Sequence, residues 1–123
     1  TADDCTERLQ HGDSAFGDAR SASYFEGREK APEALRAGHI PGAVSRDYAA
    51  LFDPARRGLR ALAELEALFA GVPPGRIISY CNTGHTAALN WFVLSELLGR
   101  ADVRLYDGSM TDWTQDETRP VAP

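Results

Sequence analysis

Apolar residues along this chain follow two patterns, one spaced for helices and one of short unbroken runs that fit strands. The opening TADDCTERLQHG sets Cys5 and Leu9 one helical turn apart, with Thr1 placed as a cap, Asp3 and Asp4 in the first turn and Gly12 as a stop. That predicts a short helix with Cys5 on its buried stripe. SAFGDARSASYF holds a short apolar step ending in Asp-Ala-Arg, a strand whose end exposes Asp18 and Arg20. EGREKAPEALRAG is polar and broken by Pro32, hence a loop or a short helical insert. In HIPGAVSRDY, Pro41 and Gly42 make a turn and Ala43 to Ser45 extend; LFDPARRG reads as loop. From Arg60 to Ala70, Leu62, Leu65, Leu68 and Phe69 recur at helical spacing, and GVPPG closes the segment. RIISYC is a short β-branched strand, followed by a long apolar helix that begins near Thr86 or Ala87. ADVRLYDGS gives a last strand, and MTDWTQDETRPVAP a mostly polar tail.

Helix, strand, strand, helix, strand, helix, strand, with long connections between the strands, predicts an α/β fold with a mostly parallel sheet. The 123 residues, 43% hydrophobic and 25% charged, fit one globular domain over residues 1–123. The formal charge is −5, and Arg56–Arg57 is the only basic pair. A nucleic acid or an anionic membrane surface needs a basic face, so neither is an expected partner. A small anionic substrate responds to local field and stays open. The apolar run from Ala87 to Leu98 is interrupted by Asn90, Ser95 and Glu96 and is too short to span a bilayer. Two cysteines, Cys5 and Cys81, make no disulfide scaffold, and without a Cys/His cluster no metal is expected. The chain opens at Thr1 with no signal peptide in view, so we expect a leader, tag or domain to have been removed upstream. Its compartment, cytoplasm or bacterial periplasm, stays open for a soluble protein.

Candidate chemistry centres on CNTGHT. Cys81 directly follows the strand Ile77–Tyr80, and in a parallel sheet ligands bind beyond the carboxyl ends of the strands. Gly84 permits a kink or a close backbone approach. The amides of Asn82, Thr83, Gly84, His85 and Thr86 can form an anion nest, and the next helix aims its positive end at the same point. Such a setting favours the reactive thiolate, and an inward, cationic His85 would add to it. From position and physics alone, a nucleophile and a packed hydrophobic cysteine both stay open.

DARS at 18–21, GHIPGAV at 38–44, YCNTGHTAA at 80–88 and LYDGSMTDW at 105–113, in this order, resemble the rhodanese or sulfurtransferase domain family. The resemblance covers nearly the whole chain. It implies a rhodanese-like fold, with a central mostly parallel sheet flanked by helices on both faces, and a Cys81 that cycles between thiol and persulfide. Cys81 would take sulfur from a small anionic donor, thiosulfate or 3-mercaptopyruvate. It would pass that sulfur to a thiophilic acceptor such as cyanide or a thiol, with no cofactor. Asn82 to Thr86 would bind the donor and cradle the persulfide. Asp18 and Arg20 match the family's Asp-x-Arg, an accessory pair near the loop. His39 would be a structural turn residue, Asp107, Gly108 and Ser109 scaffold, and Cys5 core.

Some positions depart from the family pattern. Asn82 stands where thiosulfate-using members often carry a basic residue. CNTGHT shares only Thr83 by hydroxyl type, Gly84 and Thr86 with the C-G-S-G-V-T of mercaptopyruvate users, and Met110 replaces an aromatic. Thiosulfate is the favoured donor. Phosphatase-like relatives need an arginine at the position of Ala87, and none occurs from Asn82 to Gly99. The segment between DARS and GHIPGA resembles the C-terminal catalytic domain of tandem thiosulfate or 3-mercaptopyruvate sulfurtransferases. The helix after Cys81 is apolar nearly all round, so its cover is either internal or supplied by an upstream rhodanese domain or a homodimer mate. A persulfide carrier and a non-catalytic rhodanese-like interaction domain are the alternatives to an enzyme.

Overall fold

The computed structural model describes residues 1–55 and 58–122, so the Arg56–Arg57 pair lies outside the described residues. The first helix, α1 (Ala2–His11), forms where the spacing puts it, and its ends show why. The Thr1 hydroxyl accepts the Asp4 N–H at 3.2 Å, the Asp4 carboxylate answers at Thr1, and Gly12 closes the helix at φ 66°. After it come β1 (Ser14–Asp18), α2 (Ala22–Phe25), β2 (Val44–Ser45) and a 3-10 turn, Tyr48–Leu51. Then follow β3 (Phe52–Asp53), β4 (Gly58–Leu59), α3 (Leu62–Leu68) and β5 (Arg76–Tyr80). The chain continues through α4 (His85–Phe92), a π-helical turn at Val93–Leu97, β6 (Val103–Leu105) and α5 (Ser109–Trp113).

Four strands form a parallel sheet in the order β2-β1-β5-β6. Strand β1 sends the chain to one side and β5 sends it to the other, so the connections diverge between the carboxyl ends of β1 and β5. That divergence opens the crevice in which parallel α/β sheets bind ligands. Asp18 ends β1 opposite Tyr80 at the end of β5, so Ala19–Arg20 and Cys81 leave the sheet side by side.

Side chains alternate across the sheet and feed two cores. Phe16, Ile78 and Tyr80 join Cys5 of α1 and Met110 and Trp113 of α5 on one face. Ile77 and Val103 join Leu65, Phe69, Val93 and Leu94, from the α3 region and the helix after Cys81, on the other. A sheet buried on both faces explains why RIISY reads as a continuous apolar run. On the far side of the long helix Leu89, Phe92 and Leu97 stay exposed. No described helix is long and apolar enough to cross a membrane.

Three expectations need correction. LFDPARRG is not simply loop, since Phe52 and Asp53 pair antiparallel with Leu59 and Gly58. Two-residue strands carry too few positions for alternation to show. The tail from Met110 is polar in composition, yet Met110 and Trp113 are wholly buried. The Trp113 indole donates to the Pro120 carbonyl at 2.9 Å, and His39 and Ala122 exchange two backbone hydrogen bonds of 2.8 Å. Asp18 and Arg20, expected at an exposed strand end, are buried.

Because one indole anchors both α5 and the returning tail, Trp113→Ala is expected to cost about 3–5 kcal/mol in urea unfolding. A loss below about 1 kcal/mol would mean that α5 is not part of the core.

Candidate active site

Cys81 leaves β5 at the crevice and is only 2% exposed, packed against Ala19, Ala87 and Tyr48. Its surroundings are made chiefly of backbone. The Gly84 N–H donates to Sγ at 2.9 Å. Burial pushes the Cys81 thiol up, but hydrogen bonds from the Thr86 hydroxyl and from the amides of Ala87, Gly84 and Thr83 outweigh it, and the thiol titrates below its ordinary 9.0. Gly84 makes the turn possible. It sits at φ 98°, and a methyl group there would lie 2.5 Å from the Asp107 carbonyl oxygen, so only glycine fits. The helix α4 begins one residue later and adds its positive end to the ring of amides.

The predicted site residues divide between the inside and the rim of this loop. Gly84 and Thr86 contribute donors to the sulfur, Thr83 does so through its backbone N–H although the residue is otherwise exposed, and His85 is exposed at the first position of α4. Asn82 is half-buried, and its side-chain oxygen accepts from Arg20 at 3.3 Å.

Arg20 forms a forked ion pair with Asp18, Nε–Oδ1 2.9 Å and Nη2–Oδ2 2.7 Å, and also donates to the Gly38 carbonyl at 2.8 Å. Burial opposes the charge on Arg20, but the bonds to Asp18 overcome it and raise its affinity for a proton. Cys81 is among the groups that stabilise the guanidinium. By reciprocity, the guanidinium favours the thiolate. The rings of Tyr24 and Tyr80 lie 6.0 and 5.9 Å from Arg20.

His39 stacks on Phe25 at 3.7 Å, and its Nδ1 meets the Phe25 carbonyl at 2.6 Å, a structural role as expected. Cys5 also lies in the core, where burial pushes its thiol up to about 11. The two cysteines are therefore opposites, one buried in apolar surroundings and the other ringed by donors. Sequence reasoning treated Ser109 as scaffold, but its hydroxyl accepts the backbone N–H of Cys81 at 2.9 Å. The only signal for it in the sequence is its place in DGS.

The family model for the rhodanese-like domain matches residues 1–116. The chain belongs to the rhodanese-like domain family. Among its rhodanese-like relatives, the thiosulfate sulfurtransferase of Corynebacterium glutamicum is 37% identical over 119 residues, 91% of this chain and 39% of that protein. The sulfur carrier protein TtuD of Thermus thermophilus is 35% identical over 124 residues, 94% of this chain and 43% of that protein. This chain thus spans about two fifths of the length of these curated relatives. A solved structure of EanB, a Tyr-to-Ala variant with ergothioneine covalently linked to a persulfide cysteine, superposes with a TM-score of 0.84 at 27% identity. That match covers 98% of this chain and 31% of EanB.

The lowered pKa of Cys81 couples its ionisation to folding. The folded thiol releases its proton more readily than the unfolded one, so ionisation favours the fold. The contribution is complete above the unfolded value near 9.0 and is lost as pH falls through the folded value. Urea unfolding across pH 6 to 10 is therefore expected to show the stability of the wild type rising relative to Cys81→Ala until about pH 9, then levelling. A difference that is flat throughout, or that falls with pH, would contradict the inward orientation of the amides.

Proposed function

We propose that this chain is a rhodanese-type sulfurtransferase that moves a sulfane sulfur through a persulfide on Cys81, with thiosulfate as the donor. The observation that carries the reading is the Gly84 amide donating to the Cys81 sulfur at 2.9 Å beside the start of α4, in surroundings that hold the thiol below its ordinary value. The thiolate attacks the outer sulfur of thiosulfate. A Cys81 S–S bond forms, the S–S bond of thiosulfate breaks, and sulfite leaves with the electron pair. The product, Cys81–S–S⁻, carries its charge on the outer sulfur, within reach of the same donors. Cyanide or a thiolate then attacks that outer sulfur and restores the Cys81 thiolate, with thiocyanate or a new persulfide as product. Both steps proceed on sulfur alone.

Relatives named as thiosulfate sulfurtransferases support thiosulfate as a donor. The buried Arg20–Asp18 pair supports loop positioning, through Asn82, as its accessory role. The exposed Leu89, Phe92 and Leu97 are compatible with a second rhodanese-like domain or a second copy covering the long helix. A second reading, a persulfide carrier that delivers sulfur to a protein, is favoured by the likeness to a protein named as a sulfur carrier.

Intact-mass spectrometry tests both. Incubation with thiosulfate is expected to add one sulfur atom to Cys81, and cyanide to discharge it with turnover. Cys81→Ser should abolish transfer, while Cys5→Ser should change stability alone. Loading without turnover on cyanide would favour the carrier, and loading from 3-mercaptopyruvate but not thiosulfate would overturn the donor. No loading from either would leave an interaction domain.

A further inference from the structure

We infer that Ser109 is a positioning residue for Cys81, which from the turn after β6 holds the cysteine's main chain so that its sulfur meets the amides of the loop. This rests on the reading of Cys81 given above.

Ser109 is fully buried, and its hydroxyl meets three groups. It accepts the Cys81 N–H at 2.9 Å and donates to the Tyr106 carbonyl at 2.9 Å, and it lies 4.0 Å from Sγ. One small group thus ties the residue after β5 to the end of β6.

The neighbouring residues extend the grip. The Met110 N–H donates to the Cys81 carbonyl and the Thr111 N–H to the Asn82 carbonyl, each at 3.0 Å. A trans peptide holds its C=O and N–H in opposite directions. With the Asn82 carbonyl held by Thr111, the Thr83 N–H on the same peptide must face the other way, the orientation in which it helps to lower the Cys81 pKa. Gly84 abuts the Asp107 carbonyl in the same turn. Residues 107–111 therefore touch the loop at Cys81, Asn82 and Gly84.

The conformation of Ser109 adds a separate argument. At φ 55° it is the only described residue other than glycine with positive φ. L residues enter that region at a cost, and glycine enters it freely. A turn that needed only this conformation would be better served by glycine, so what serine contributes is the hydroxyl.

Two substitutions separate hydroxyl from backbone. Ser109→Gly removes the hydroxyl and relaxes φ; Ser109→Ala removes it and keeps the strain. The readout is the pH dependence of iodoacetamide alkylation, followed at the Cys81 peptide by mass spectrometry, with urea unfolding as the check on folding. In Ser109→Gly the inflexion is expected to rise by about one pH unit, roughly tenfold less thiolate near neutral pH, without loss of stability. Ser109→Ala should move it the same way. If Ser109→Gly gives the wild-type profile, the proposal is overturned, and a shift confined to Ser109→Ala would assign the effect to φ alone. Alkylation needs no sulfur donor. A wild type that accepts no sulfur, with an inflexion that still moves in Ser109→Gly, would refute the transferase reading and leave the role of Ser109 standing.

Discussion

A buried anion in this fold must be matched by donors, and the only ones in quantity are peptide N–H groups turned toward one sulfur. Leaving that charge unmatched in a recess 2% open to solvent would cost several kcal/mol. The match is made by orienting peptides rather than by placing charged side chains. Carbonyls of the loop face the α5 turn, the amides of Thr83, Gly84 and Ala87 face Sγ, and Gly84 takes the positive φ that lets the chain curl. In the transfer proposed above, the thiolate and the persulfide would both present negative sulfur to these dipoles.

The rest of the structure positions the ring. Opposed connections from β1 and β5 open the crevice, and pairing of Asp18 with Tyr80 brings Arg20 against the loop. The Asp18 fork keeps Arg20 charged while buried, so a cation lies near the sulfur although the loop has none straight after Cys81. The two apolar cores anchor opposite walls. The face with α1 and α5 holds the turn at Ser109, and the opposite face holds the helix that continues α4. Met110, where the family has an aromatic residue, is wholly buried in the first of these cores and leaves the turn in place.

Much of this was legible in the sequence. Thr1 and Gly12 bounded α1, the β-branched run RIISYC marked a strand, and the cysteine at its end fell where the sheet opens. The burial of Asp18 and Arg20 was not visible, because two opposite charges at a strand end look the same whether solvated or locked together under a loop. The tail was misjudged because a single indole, Trp113, carries its attachment, and one residue makes no period. Ser109 was out of reach for a related reason. Its importance lies in a left-handed backbone angle and a hydrogen bond across 28 residues, neither of which residue type or spacing encodes.

The central claim is that these amides hold an ionised sulfur, and titrating the backbone amide resonances by NMR tests it most directly. The account predicts that the N–H signals of Thr83, Gly84 and Ala87 move downfield together as pH rises, with one shared midpoint below 9.0, and that Cys81→Ala abolishes the movement. Signals that stay still, or that move only at or above the ordinary thiol value, would contradict it.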